Sequence, residues 1–137
     1  MEKAKGFTII ELTVAVIIVA ILAVVLSVNV VQYINKAKNA AIKGIMNQLS
    51  STALIYYQKH QYNYGGFCGD SETKKIFDAI SVPDMKKDKY CHHDDNDWAV
   101  CARLNFPNSS SAWCVDSEGI RKQINKTDCV SNIVSCS

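Results

Sequence analysis

The fold is decided by residues 5–22, which read KGFTIIELTVAVIIVAIL. No residue between Leu12 and Asn35 carries a formal charge, and Val, Ile, Leu and Ala dominate this stretch. About 20 apolar residues in a helix cross the hydrocarbon core of a bilayer, because each residue adds about 1.5 Å. A helix also satisfies its own backbone hydrogen bonds in lipid. The sequence therefore predicts a membrane-spanning helix over residues 7–28.

Two other interpretations of the apolar stretch fit less well. A buried core helix would need a larger partner domain, since the chain that follows is too small to wrap a helix that is apolar on every side. A secretory signal peptide would explain Lys3 and Lys5. However, the stretch is longer than the usual apolar region of about 7 to 15 residues, and no clean small-x-small cleavage site follows it. We therefore expect the stretch to remain on the mature protein.

Glu11 is the acidic residue that interrupts the apolar pattern. A carboxylate in the middle of a membrane costs about 2.5 to 3.5 kcal/mol, so a buried one is expected to have a partner. At the level of the lipid headgroups the same carboxylate costs little. The position of Glu11 in the sequence does not separate these two interpretations.

This N-terminal pattern resembles the signature of type IV pilins and of the pseudopilins of type II secretion. In that family a prepilin peptidase removes a short basic leader that ends in Gly, and the new aromatic N-terminus is methylated. The resemblance implies that residues 1–6 are the leader, with cleavage after Gly6 and N-methylation of Phe7. It also implies that Glu11 sets the register between neighbouring subunits. Four further residues fit the same motif: Thr8, Ile9, Ile10 and Leu12.

A physical reason for this role of Glu11 is available. Methylation keeps the terminal amine charged, and an ammonium and a carboxylate stabilise each other in a region of low dielectric. The chain departs from the family pattern at Val28, where many major pilins have a helix-kinking Pro, so we do not expect that kink. Lys36, Lys38 and Lys43 follow the span, so the placement of the N-terminus in the cytoplasm is implied by the resemblance and not by charge counting.

An amphipathic helix is predicted to continue from the span to residue 58, because apolar residues recur there at steps of three and four. Gly44 weakens this prediction slightly. An aromatic cluster follows and is expected to pack the helix against the C-terminal region. Base stacking would need interleaved basic residues, and electron transfer a repeated pattern; the sequence has neither. The cluster consists of Tyr56, Tyr57, Tyr62, Tyr64 and Phe67.

Six cysteines lie in the last 70 residues or so, at positions 68, 91, 101, 114, 129 and 136. An even number in a small region indicates disulfides formed in an oxidising compartment, with fifteen possible pairings. Zinc binding is the less favoured alternative because there is no CxxC pair. From local pattern we predict Cys68–Cys91, Cys101–Cys114 across a hairpin, and Cys129–Cys136 in the tail. Each bond should contribute about 2 to 4 kcal/mol.

The region from residue 59 to 137 is predicted to form a small antiparallel sheet. The segments DWAVCARLNF and SAWCVDS are expected to be strands joined by a turn at Pro107 to Ser111, and a further strand is expected after the turn in WCVDSEGIRKQI. Ser71 is predicted to cap a short helix that runs to Ile80. Together with the resemblance, this gives an α+β, type IV pilin-like fold in which a long N-terminal helix packs on a disulfide-rich head.

The densest polar segment is CHHDDNDW at residues 91–98, and we predict a solvated loop there before the strand DWAVCARL. Some pseudopilins bind calcium in a C-terminal loop, but the spacing here does not match an EF-hand, and adjacent His side chains seldom point at one ion. We therefore predict no metal site, and we keep the carboxylates of Asp94, Asp95 and Asp97 as weak candidates for ligands. The residues considered as ligands are His92, His93, Asp94, Asp95, Asn96 and Asp97. Glycosylation sequons begin at Asn108 and Asn125, and such short motifs occur easily by chance.

The composition narrows the function. A net charge of +2 over 137 residues does not indicate nucleic acid or an acidic partner. No phosphate-binding loop, nucleophile elbow or HExxH motif is present, so we expect neither an enzyme nor a cofactor.

We expect a precursor in the inner (cytoplasmic) membrane that is cleaved by the prepilin peptidase. The assembly machinery is then expected to draw it into an extracellular homopolymeric filament. A pseudopilin of type II secretion and a membrane-anchored binding module that never polymerises are the alternatives.

Overall fold

The computed structural model describes residues 6–105 and 110–137, apart from the side chains of residues 27–29. The predicted leader lies almost wholly outside the described residues, as do Asn108 and most of the predicted turn at Pro107 to Ser111. By internal contacts the chain divides into two units between Ile34 and Asn35. The fold is α+β and type IV pilin-like, as predicted.

The long helix α1 comprises Ile9–Lys59. It begins two residues later than predicted and ends one residue later than predicted. Its C-terminal end is formed by two non-glycine residues with left-handed backbone, Gln61 and Tyr62, whose φ angles are 56° and 63°. The N–H of Tyr62 donates to the carbonyl of Tyr57 at 2.8 Å, which satisfies one of the last carbonyls of the helix.

The second half of α1 packs on the head through a stripe of buried side chains at steps of three and four. These are Ile42, Met46, Leu49 and Ala53, each at most 1% exposed. They share a core with Phe67, Val100 and Val115. The aromatic cluster lies at the end of this core, where Phe67 approaches Trp98 with ring centroids 5.3 Å apart. Tyr56, Tyr64 and Phe67 therefore pack the helix against the head, as predicted. Tyr62 does not, since it is 72% exposed and contacts the ring of Tyr57.

Four antiparallel strands form one sheet in the order β1-β2-β3-β4. The strands are β1 Lys89–His93, β2 Trp98–Arg103, β3 Ser111–Asp116 and β4 Arg121–Asn125. Strands β2, β3 and β4 occupy the predicted segments. The prediction of a loop over residues 91–97 is partly wrong, because His92 and His93 belong to β1 and pair with Ala99 and Trp98. Only the turn between β1 and β2 is a loop.

Both faces of the sheet are covered. One face packs on α1, and the other packs on the C-terminal tail through a second core around Ala99, Cys101, Ala112 and Cys114. Ile133 and Cys136 from the tail complete this second core. Side chains alternate between the two faces along a strand, so burial on both sides explains why Trp98 to Ala102 are all buried.

Three disulfides hold the head together: Cys68–Cys91, Cys101–Cys129 and Cys114–Cys136. The first is the predicted pair. The predictions Cys101–Cys114 and Cys129–Cys136 are wrong. Cys101 and Cys114 are indeed opposite each other in the β2–β3 register, but each is bonded to the tail that lies across their face of the sheet.

The short helix α2 comprises Ser71–Asp78, close to the predicted range. The prediction that Ser71 caps it is wrong. Asp70 is the N-cap, and its side chain accepts hydrogen bonds from the N–H groups of Glu72 and Thr73 at 3.0 and 3.2 Å. Asp and Ser are comparable as N-caps, so the choice between adjacent residues depends on where the chain turns. At the other end, Lys89 Nζ donates to the carbonyls of Phe77 and Ile80.

Two buried carboxylates, those of Asp88 and Asp116, connect separate elements of the head. Asp88, whose side chain is 2% exposed, pairs with Arg103 at 3.0 Å and with Lys126 at 2.9 Å. Burial alone would raise the pKa of Asp88, but hydrogen bonds from Lys126 and Arg103 outweigh it and hold the pKa below its ordinary value. Asp116 accepts from the N–H groups of Ile120 and Cys136, which joins the β3–β4 turn to the tail.

Candidate assembly site at the start of α1

The first half of α1 presents apolar side chains on every face. Phe7, just before the helix, is 84% exposed, and within the helix Ile9 and Val19 are 82% and 65% exposed. In the described residues this is the one helix long and apolar enough to cross a membrane, judged by length and composition. None of its most apolar window is buried by other residues that the structure describes. A surface of this kind needs either lipid or other protein to cover it.

Glu11 lies at the helix N-terminus and is held there by Thr8. Its Oε2 accepts hydrogen bonds from the backbone N–H and the hydroxyl of Thr8, both at 2.9 Å. In return, the N–H of Glu11 donates to Thr8 Oγ1 at 3.2 Å. This reciprocal arrangement is a capping box, in which a residue three positions into the helix reaches back to the N-cap.

The capping box gives Glu11 a role within its own chain that the sequence reasoning missed. The signal was present, since Thr8-Ile9-Ile10-Glu11 has the S/T-x-x-E form. The box also fixes the position of the carboxylate, which lies against the N–H of Thr8, the residue that follows Phe7. The negative charge is therefore placed beside the predicted cleavage position and at the positive end of the helix dipole.

Gly6 is not crowded by the described part of the chain. A Cβ built on Gly6 would meet no described atom within 4 Å. Glycine is normally required for a positive φ or for the close approach of another group. Within the described residues, therefore, no close contact requires glycine at this position.

The acidic segment of the head forms a tight turn between β1 and β2. Asp94 Oδ1 accepts from the N–H groups of Asn96 and Asp97 at 2.8 and 2.7 Å. These two backbone hydrogen bonds, that from Asp97 first, lower the pKa of Asp94. Asp97 accepts from the hydroxyl of Ser117 at 2.9 Å. These carboxylates are therefore engaged in shaping the turn.

Within residues 6–105 and 110–137, no group of three or more His, Cys, Asp or Glu side chains is placed to hold a metal ion. The weak candidate Asp95 is exposed, and its backbone carbonyl accepts from the N–H of Tyr64. The geometry of the described head thus gives the candidates Asp94, Asp95 and Asp97 no common ligand site.

Residues 1–27 match the family model described as the prokaryotic N-terminal methylation motif. The chain carries the type IV pilin and pseudopilin signal. The match covers the apolar start of α1 and the capping box, and it ends before the head begins. No curated protein and no solved structure matches the chain.

The signal has direct consequences for this chain. It implies processing by a prepilin peptidase and assembly of the pilin type. Together with the apolar half of α1, it is consistent with a membrane-anchored precursor. The motif thus supports a type IV pilin-like or pseudopilin-like subunit.

Proposed function

We propose that the mature chain is a structural subunit of an extracellular type IV pilus-like filament, and that it performs no enzymatic reaction. The observation that carries the proposal is the apolar first half of α1, whose most apolar window no described residue of its own chain buries. The methylation motif over the same residues supports filament assembly as the use of that surface. Before assembly, lipid of the inner membrane would cover it.

In this proposal, the peptidase cuts between Gly6 and Phe7, and the new amine of Phe7 is methylated. The apolar halves of identical helices then pack against each other in the filament core, where water is excluded. The lipid tails are as apolar as the helix side chains, so moving the helices out of lipid gains nothing from the hydrophobic effect. Close van der Waals contact between the helices drives their packing instead. The disulfide-linked head lies outside this core and coats the filament.

Glu11 supplies the register of this packing. A methylated ammonium and a carboxylate stabilise each other strongly when both are desolvated, and leaving either one unpaired is costly. The capping box holds the carboxylate of Glu11 at the very start of the helix, so it can meet the amine of a neighbouring copy. Only an axial step that brings these two groups together satisfies both charges.

The test separates the charge of Glu11 from its capping role. Gln at this position keeps the capping box, because the motif accepts Glu or Gln, but it removes the negative charge. We therefore expect Glu11→Gln to insert into the membrane normally and to reduce filament yield by about two orders of magnitude. That factor corresponds to an unpaired charge that costs about 2.5 to 3.5 kcal/mol. Filaments sheared from the cells and the membrane fraction are both quantified by immunoblot.

Thr8→Ala is the matched control. It removes the capping hydroxyl and costs about 1 kcal/mol of helix stability, but it keeps the carboxylate. The control variant should still assemble. Normal filaments from Glu11→Gln, or an equal loss of filaments from Thr8→Ala and Glu11→Gln, would contradict the charge pair.

The same variants address the other candidate functions. A membrane-anchored binding module that never polymerises would tolerate Glu11→Gln and retain its leader. A pseudopilin shares the motif and the sensitivity to Glu11→Gln, but it would not produce abundant long surface fibres in its native host. Electron microscopy of that surface distinguishes a pilin from a pseudopilin.

A further inference from the structure

Four of the six cysteines lie together on one face of the sheet. Cys101 and Cys114 are opposite each other in the β2–β3 register, and both are fully buried in the second core with Cys129 and Cys136. Side chains directly opposite on antiparallel strands have Cβ atoms about 4.5 to 5.5 Å apart. A disulfide needs about 3.5 to 4.5 Å, so a small movement is enough to join Cys101 to Cys114.

The native bonds are interlaced along the chain. Cys101 is bonded to Cys129 past Cys114, and Cys114 is bonded to Cys136 past Cys129, with separations of 28 and 22 residues. Joining consecutive cysteines would close shorter loops in both cases. The entropic cost of loop closure rises with loop length, so an unfolded chain closes the shorter loops more readily. Strand pairing and chain entropy therefore both favour the wrong bond Cys101–Cys114.

We propose that the head first forms a non-native isomer with Cys101–Cys114 and Cys129–Cys136, and that a thiol-disulfide isomerase is an obligate folding partner of this chain. In that isomer the tail is not attached to the sheet. The face around Ala99 and Ala112 is then uncovered and offers the partner an apolar surface to bind. This inference does not depend on filament formation.

The rearrangement conserves the number of disulfides. A thiolate of the isomerase attacks the sulfur of Cys101, which breaks Cys101–Cys114, forms a mixed disulfide and releases the thiolate of Cys114. That thiolate attacks the sulfur of Cys136, which forms Cys114–Cys136 and releases the thiolate of Cys129. The thiolate of Cys129 then attacks the sulfur of Cys101, which forms Cys101–Cys129 and regenerates the isomerase thiolate. No oxidant is consumed.

The experiment follows reoxidation of the full chain in detergent micelles. The reduced, unfolded protein is reoxidised with a thiol-free oxidant, samples are alkylated over time, and bonds are mapped by mass spectrometry after proteolysis. We expect Cys101–Cys114 to predominate early. A catalytic amount of reduced protein disulfide isomerase should then accelerate appearance of the native bonds by a factor on the order of ten or more. Native bonds that form equally fast without the isomerase, with Cys101–Cys114 undetected, would overturn the proposal.

Two double variants make the result specific. Cys129→Ser with Cys136→Ser removes both tail cysteines, keeps Cys68 and Cys91, and should form Cys101–Cys114 rapidly; failure to form it would contradict the proposal. Cys114→Ser with Cys136→Ser cannot form the wrong cross-strand bond, so Cys101–Cys129 should appear at a rate that the isomerase does not change. A rate that still depends on the isomerase would show that the interlaced pairing is not the cause.

Discussion

The two halves of α1 differ in what covers their apolar side chains. In the second half, Leu49 is fully buried against the sheet, whereas in the first half Leu22 is 55% exposed. Both are leucines in one helix, and hydrophobic burial stabilises a fold only where the chain itself removes the side chain from water. The second half is thus part of the core of the head, whereas the apolar side chains of the first half are exposed.

This difference separates stability from assembly. The head has its own core, three disulfides and paired carboxylates, and its described parts are held together without the first half of α1. Substitutions in the second half should change the unfolding of the head. Substitutions in the first half should change membrane insertion and assembly while leaving the head intact.

The largest expected effect comes from equal truncations in the two halves. Leu49→Ala should destabilise the head by about 2 to 5 kcal/mol, because it leaves a cavity in a closed core. Leu22→Ala should change head stability by less than about 0.5 kcal/mol, as for an exposed site. Chemical denaturation in detergent, followed by near-ultraviolet circular dichroism, measures both. Equal losses for the two variants would show that the two halves are not independent.

A smaller effect is expected from the charge of Asp88. Since its pKa is held below the ordinary value in the folded head, its stabilising contribution is full above the unfolded pKa of about 3.9 and is lost as the pH falls through the folded value. Asp88→Asn should cost about 1 to 3 kcal/mol at neutral pH, since Arg103 and Lys126 lose their shared partner. The variant should also show a shallower loss of stability below about pH 4.

Denaturation of wild type and Asp88→Asn across this pH range tests the prediction. Asp95→Asn is the control, because Asp95 is exposed in the β1–β2 turn. An Asp88→Asn variant with the same acid profile as the wild type would contradict the assigned pKa direction and its cause.

The smallest effect concerns Gly44 on the exposed side of the second half of α1. A Cβ there would meet no described atom within 4 Å. Gly44→Ala should therefore stabilise the head by about 0.5 to 1 kcal/mol through helix propensity alone. Ala41→Gly, at another exposed helical position, should have the opposite sign. Thermal denaturation of both variants checks this, and a destabilised Gly44→Ala variant would mean that the site is not open.

Much of the fold could be predicted from local patterns. The charge-free stretch after Leu12 indicated the apolar helix, and the turn at Asp116 to Gly119 indicated the hairpin of β3 and β4. Strand β1 was missed because two His residues precede three Asp in its segment, and polar side chains do not indicate a buried strand. It is placed by pairing with β2 across the whole of its length.

The disulfides and the cap of α1 show where local reasoning ended. Local pattern favoured a bond between Cys101 and Cys114 across the hairpin. In the structure the tail lies across both strands, and both cysteines are bonded to it. The uninterrupted apolar run from Trp98 to Ala102 carried the missing signal, since a strand that is apolar on both faces needs a second layer to cover it. The T-x-x-E pattern of the capping box, Thr8 to Glu11, was also visible in the sequence, beside the predicted assembly role of Glu11.

We propose that this chain is cut after Gly6 and assembles through the first half of α1. The most direct measurement is the N-terminal sequence and intact mass of the protein recovered from sheared surface material and from native membranes. The account predicts a chain that begins with N-methylated Phe7 in both fractions, with all six cysteines oxidised. A chain that keeps Met1 or Glu2 at its start and is found only in the membrane fraction would contradict it.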